Sequence, residues 1–267
     1  MVSHEKAQTI IKDTVKNSIV DFAKKSLKKK AHFQILDLLI PKERKIRSIV
    51  GGLETSLGTT LWEPLAKALA KENGFEVIEA DLQCPTNMES NLANTLQAII
   101  ADRKLSTGLY NAESSHIEIK RICQRFLNRP IESFEKGPRG KGVDIWLRKE
   151  KIDYFFDTKT VQPNLGTLTG CMEQILTWYV YFYSQNPQGN AIARIVFPYN
   201  PTPTKDFWDT VIGKGKPLEP YHEAWVENQF WDFCSGIPDT YSLITASFTE
   251  LKESGELEDS LNKLLRE

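Results

Sequence analysis

The chain has 267 residues, enough for one large domain or one domain with an elaboration. Hydrophobic residues make up 40% and aromatic residues 10%, so a sizeable core can form. A formal net charge of −1 excludes a simple basic DNA-coating protein, while leaving room for a local basic groove.

Four cysteines (Cys84, Cys123, Cys171, Cys234) lie far apart and form no CxxC pair, which speaks against a disulfide framework and a zinc site. His4, His32, His116 and His222 are equally scattered. Any metal is therefore expected on oxygen ligands. The opening MVSHEKAQTIIKDTVKNS has no apolar h-region, and the apolar run ILTWYVYFY from Ile175 is too short to span a bilayer. A cytoplasmic protein with no membrane partner is expected.

Residues 5 to 40 read as helical, with Ile10, Ile11, Val15, Ile19 and Ala23 at spacings of three and four. The run KKSLKKK from Lys24 reads as a solvated face, with phosphate contact as the alternative. Pro41 ends that region. A helix, a Gly-rich interruption, a second helix to about Glu72 and a strand FEVIEADL are expected next. Met88 to Asp102 and Ser114 to Leu127 read as helices, and EKGPRGKG from Glu135 as a loop. GVDIWL and DYFFDTK read as strands, Leu168 to Ser184 as a helix, and AIARIVFPY from Ala191 as a third strand. The aromatic residues of the last third read as core, and a polar helix follows from Phe248. No repeat or low-complexity linker interrupts the chain. A single α/β domain over residues 1–267 is the simplest account: a catalytic core at about 50–200, a helical N-terminal region at 1–45 and a C-terminal elaboration at 200–267.

The two strands in GKGVDIWLRKEKIDYFFDTKTVQPN carry Asp144, Asp157 and Lys159. With a turn centred on Glu150-Lys151, positions 144 and 157 fall opposite each other. Opposed residues share a face with Cβ atoms about 4.5–5.5 Å apart. Two carboxylates so close repel unless a cation sits between them. Period-two geometry sets Lys159 on the same face. Glu150-Lys151 is not a favoured two-residue turn, so a longer loop would shift this register. The bland alternative is a pair of strand-end aspartates facing solvent.

The acid on one strand and D-x-K on the next resemble the PD-(D/E)xK nuclease superfamily, with Val143 where the motif has proline. GKGVDIW followed by FFDTKTVQPN resembles more narrowly the type II restriction endonucleases of the TdeIII and MjaII group, over about residues 100 to 200. The resemblance implies a restriction-endonuclease-like core: a central mixed sheet flanked by helices, with additional N- and C-terminal helical elements. It implies magnesium on Asp144, Asp157 and the Thr158 backbone carbonyl, and catalysis by these acids with Lys159. It adds a glutamate from a preceding helix, for which Glu63 is the candidate and Glu54 the alternative. As a structural residue, Glu63 reads as a helix N-terminal acid beside Pro64. A lysine next to carboxylates keeps its proton, so Lys159 is expected to orient water and offset charge rather than act as a base.

Double-stranded DNA is the implied partner, cut at a short palindrome of GGNCC type to leave 5′-phosphate and 3′-hydroxyl ends. A palindrome calls for a homodimer. Arg139, Lys141, Gln162 and Asn164 are the candidate DNA-binding residues. Arg103, Lys120, Arg121, Lys136, Arg194 and Lys205 are further basic residues able to read guanine. GPRGKG and GKGKP lack phosphate-loop spacing, so no nucleotide cofactor is expected. G-x-S-x-G and H-E-x-x-H are absent. The alternatives are a repair, recombination or structure-specific nuclease on the same core, and a catalytically inert DNA-binding protein.

Overall fold

The computed structural model describes residues 2–28, 35–160, 163–211 and 217–266. The chain divides into two compact units. A central unit covers residues 74–230, and a terminal unit is formed by residues 1–73 and 231–267.

The terminal unit is helical. Helix α1 (His4–Lys28) buries Ala7, Ile11, Val15 and Ala23, the stripe its apolar spacing predicts. A short 3₁₀ turn at Ile35–Leu38 leads to α2 (Pro41–Thr55), with proline in the first turn, where a missing N–H costs nothing. Part of the helix expected over 5–40 (residues 29–34, with Lys29 and Lys30) lies outside the described residues.

The expected interruption between two helices falls around Gly58. α2 runs through Gly51 and Gly52, and the irregularity falls later, in a π-helical stretch at Gly58–Trp62 that leads into α3 (Glu63–Glu72). An exposed helix tolerates a glycine at about 1 kcal/mol, so glycine alone does not end it. The reading of Glu63 as a helix N-terminal acid is corrected. Its backbone N–H donates to the Gly58 carbonyl, five residues back, so it lies within continuing helix.

The central unit holds a five-stranded mixed sheet. Strands β1 (Glu76–Val77), β4 (Ile145–Lys149), β5 (Ile152–Thr158), β6 (Asn190–Phe197) and β7 (Ala224–Val226) lie side by side in that order. The β1–β4 and β4–β5 pairs are antiparallel, and β5–β6 and β6–β7 are parallel. The predicted strand FEVIEADL shrinks to two residues. β1 pairs with Leu147 and Arg148, the Ile78 N–H adds one bond to the Trp146 carbonyl, and the strand ends there. Its continuation, β2 (Gln83–Pro85), pairs instead with β3 (Phe134–Lys136), which occupies the start of the predicted loop.

Helices α4 (Ser90–Leu105) and α5 (Ala112–Cys123) follow β2. Each start is capped: the Glu89 carboxylate accepts the Leu92 N–H, and Asn111 and Ser114 form a reciprocal capping box. The parallel pair β5–β6 needs a long crossover, supplied by α6 (Leu165–Gln185). Asn164 caps α6 by accepting the Thr167 N–H, so the helix begins three residues before the predicted Leu168.

One sheet face and α6 form the core. Phe155 packs edge-on against Trp178 and Phe182, with Met172, Ile175, Ala193 and Ile195 fully buried beside them. The short helix α7 (Phe207–Val211) and α8 (Asn228–Ser235) flank β7 in the chain, and α9 (Thr240–Glu253) and α10 (Glu256–Arg266) complete the terminal unit. There Trp62 stacks on Phe248 and tilts against Trp231. Of the last-third aromatics expected in the core, Phe230 and Trp231 are buried, Trp208, Trp225 and Phe233 are half-buried, and Tyr221 is exposed.

Candidate active site

The site begins at the turn between β4 and β5. Lys149 pairs with Ile152, so Glu150 and Lys151 form a two-residue turn, both with positive φ, at 53° and 66°. Such a turn matches the right-handed strand twist, and it fixes the register. The ladder runs Lys149–Ile152 to Ile145–Phe156, and its next step sets Asp144 opposite Asp157. The Asp144 N–H donates to the Phe156 carbonyl at 3.0 Å, which holds Asp144 at the strand end.

The two acids meet. Burial, a hydrogen bond with Asp144 and the Asp144 charge push the Asp157 carboxyl up to about 8, against the opposing pull of Lys159. The Thr158 N–H donates to Asp144 Oδ2 at 3.1 Å. Lys159 Nζ forms an ion pair with Asp157 Oδ2. Burial alone would lower the lysine, yet the Asp157 carboxylate outweighs it and the Lys159 ammonium is held above its usual range. This pairing favours the charged ammonium over the free amine. The Lys159 N–H donates to the Val196 carbonyl, tying the site to β6.

Asp157 is 4% exposed, and no donor reaches its Oδ2 with hydrogen-bond geometry. Two carboxylates facing each other at a buried strand end, with the Lys159 ammonium against one of them, are what a hard cation relieves. Among the described residues no group of three His, Cys, Asp or Glu side chains converges on a metal position. Magnesium fits such a sparse set, because it takes one or two carboxylates and keeps waters and phosphate oxygens as its other ligands.

Helix α6 packs behind this strand end. Burial pushes the Cys171 thiol up to about 11, and Cys171 also feels the charges of Lys159, Asp157 and Lys141. Trp178 Nε1–H donates to the Lys141 carbonyl at 2.9 Å, so the loop before β4 is pinned beside the site. Arg139 and Lys141 project from that loop with exposed side chains. Asn164 spends its side-chain oxygen on the α6 cap. Gln162 lies outside the described residues, and Glu63 and Glu54 belong to the terminal unit.

Several basic residues that the sequence offered as guanine readers have other work. Arg103 is buried, with Nη1 and Nη2 at 2.5 and 2.6 Å from the Glu223 carboxylate. Arg194 lies over the Trp225 ring at 3.9 Å, Lys136 pairs with Asp81, and Arg121 with Glu118. The sequence analysis did not reveal the Thr158 N–H on Asp144, nor Cys171 beside Lys159. A helix of apolar and small residues immediately after D-x-K was the available signal for Cys171.

A mixed sheet with α6 on one face, and two acids and a lysine at the end of its central hairpin, define a restriction-endonuclease-like fold. Residues 3–252 match the family described as type II restriction endonuclease, HinfI, and the chain belongs to that family. It is also similar to the type II restriction enzyme MjaII of Methanocaldococcus jannaschii, with 23% identity over 202 residues. That match covers 72% of this chain and 51% of MjaII, so the chain spans about half the length of this curated relative. No solved structure matches the chain. Among the described residues no helix is long and apolar enough to cross a membrane.

Proposed function

We propose that the protein is a magnesium-dependent type II endonuclease that hydrolyses phosphodiester bonds of double-stranded DNA at a short palindrome. The observation that carries this reading is the meeting of two carboxylates at one strand end, the buried Asp157 opposite Asp144, with the Lys159 ammonium against Asp157. Family membership supports DNA as the substrate class.

In this reading Asp144, Asp157 and the Thr158 carbonyl hold the ion. A bound magnesium lowers the pKa of water and offsets charge on the phosphoryl group in the transition state. Lys159 keeps its proton, orients the attacking water and stabilises developing negative charge. The Thr158 N–H keeps Asp144 aimed at Asp157. Arg139 and Lys141 hold backbone phosphates, which position the duplex without reading its sequence. The products carry 5′-phosphate and 3′-hydroxyl ends. A GGNCC-type site is the reading of the group resemblance, and a homodimer matches the two-fold symmetry of such a site. The enzyme works in the cytoplasm, where its DNA is.

One digestion tests this. A plasmid incubated with purified protein and magnesium gives discrete fragments, and sequencing their ends reports site, cut position and end chemistry together. Wild type that cuts nothing, or Asp144→Ala and Lys159→Ala variants that cut as well as wild type, overturns the reading. A smear in place of fragments favours a structure-specific or repair nuclease. Glu63→Gln against Glu54→Gln identifies the family's further glutamate, as the variant that loses cleavage.

A further inference from the structure

Helix α2 (Pro41–Thr55) has 15 residues and no buried side chain among those described. This is unusual for its sequence. Isolated helices of this length are marginal in water, and each interior glycine costs about a further 1 kcal/mol. α2 contains two glycines, and it still carries apolar residues at helical spacing: Ile46, Val50 and Leu53. Ile46 is 43% exposed and Val50 49%. Ile35, Leu38 and Leu39, just ahead of it, are exposed as well. Together they make an apolar surface of a kind that monomers seldom leave open.

The polar residues on this surface say what covers it. Arg47, Val50, Gly51 and Glu54 recur at i, i+3, i+4 and i+7, so they form one stripe along the helix. Arg47 and Glu54 are exposed at its two ends, with opposite charge. A Cβ placed on Gly51 would meet nothing within 4 Å, so the middle of the stripe is an open hollow. A stripe that is positive at one end, negative at the other and hollow beside a valine complements itself when reversed.

We propose that α2 pairs antiparallel with α2 of a second copy of this chain, across a two-fold axis between Val50 and Gly51. This rests on the two-fold reading given under Proposed function. The axis sets each Arg47 opposite Glu54 of the other copy, and each Val50 over Gly51. Neighbouring registers are worse. One turn toward the N-terminus, Glu43 faces Glu54, like against like. One turn toward the C-terminus, Glu54 faces Gly51 and Arg47 loses its carboxylate. Glycine at the crossing lets the backbones approach, and the exposed apolar residues ahead of α2 extend the contact toward the area a stable dimer needs.

Sedimentation equilibrium of the full-length protein without DNA tests the pairing, and it reads association even where cleavage fails. Wild type is expected at twice the chain mass. Arg47→Glu and Glu54→Arg each reverse two symmetric charge pairs and should raise the dimer dissociation constant by about tenfold. The double variant R47E/E54R restores both pairs and should return to within about threefold of wild type. Gly51→Ile, which fills the hollow, should weaken the dimer as well. Far-ultraviolet circular dichroism of each variant reports folding, which surface substitutions leave intact. A monomeric wild type overturns the proposal. So does a dimer that Arg47→Glu leaves as tight as wild type, or a double variant no tighter than either single one.

Discussion

Strand β5 buries two aspartates on the same face, and they are treated in opposite ways. Asp153 is 6% exposed and Asp157 4%. Asp153 is fully served by its own hairpin: the Trp146 indole N–H donates to it at 2.6 Å, and the Arg148 guanidinium at 3.0 and 2.8 Å. Asp157 faces a second carboxylate, with the Lys159 ammonium against its Oδ2. A fold that supplies three donors to one buried acid can supply them to the next. Giving the second acid Asp144 as a neighbour instead sacrifices stability, which the proposed metal site accounts for. Asp153 is a fastening, and in the proposed reading Asp157 is half of a binding site.

The contrast is sharpest if function and stability move apart. Asp144→Asn keeps an acceptor for the Thr158 N–H but removes the charge facing Asp157. Cleavage should fall by about 10³-fold or more, the several kcal/mol that a metal site supplies. Stability in chelator, measured by urea unfolding, should hold or rise by about 1 kcal/mol, because two buried carboxylates no longer repel. A loss of stability together with activity would return Asp144 to a structural role.

Lys159→Ala is the next step down. Loss of the ammonium should slow cleavage by about 10²- to 10³-fold, with Lys159→Arg recovering part of the rate if the role is electrostatic. An arginine variant as slow as alanine would argue that the lysine's compact charge and reach are both required. Asp153→Ala should do the reverse of Asp144→Asn. It strands the Trp146 N–H and part of the Arg148 guanidinium, and should cost about 2–3 kcal/mol of unfolding free energy. The folded fraction should still cleave.

His116 extends the Asp153 pattern and gives the pH test. It is stacked on Tyr179, with Nε2 at 2.7 Å from the Tyr183 hydroxyl. Burial and, to a smaller extent, the Lys120 charge push it down to about 4, from 6.5 when unfolded. Below pH 6.5 the unfolded chain gains a proton that the folded chain refuses. The contribution is therefore whole above 6.5 and lost as pH falls toward 4, by about 2 kcal/mol after allowance for partial exposure. Urea midpoints of wild type and His116→Phe, compared from pH 7.5 to 4.5, should show a shallower acid loss in the variant.

What the sequence made legible is what local geometry decides. Period-two spacing and the position of the turn are enough to set Asp144 opposite Asp157 and Lys159 on their face, and both hold in the structure. The helices α4, α5 and α6 announce themselves by apolar stripes. Partnerships across long stretches of chain are different. β1 is only two residues long, although the Ile78 N–H still donates to the Trp146 carbonyl at 2.9 Å, and nothing local marks where the chain leaves the sheet. Arg103 meets Glu223 120 positions away, so nothing near Arg103 hints that its charge is spoken for. Asn164 was read toward DNA, while the N-x-x-T spacing of a helix cap sat in plain view.

The smallest expected effect lies at the turn that aligns the two aspartates. Glu150 and Lys151 both adopt left-handed backbone angles, which cost a side-chain-bearing residue roughly 1–2 kcal/mol each relative to glycine or asparagine. Neither side chain suits the turn, and the register survives because the strands on either side are packed and paired. Replacing Glu150-Lys151 by Asn-Gly should relax the backbone without moving the ladder, raising unfolding free energy by about 1 kcal/mol. Cleavage should be unchanged, since Asp144 and Asp157 keep their register. A one-residue insertion between Glu150 and Lys151 is the counterpart. If it shifts the ladder by one, every side chain of the moved strand changes face and the two carboxylates separate. Cleavage should then disappear. If the insertion is instead absorbed as a bulge next to the turn, both acids stay in place and cleavage persists. Comparing the Asn-Gly and insertion variants at matched stability therefore separates what the turn contributes to folding from what it contributes to aligning the acids.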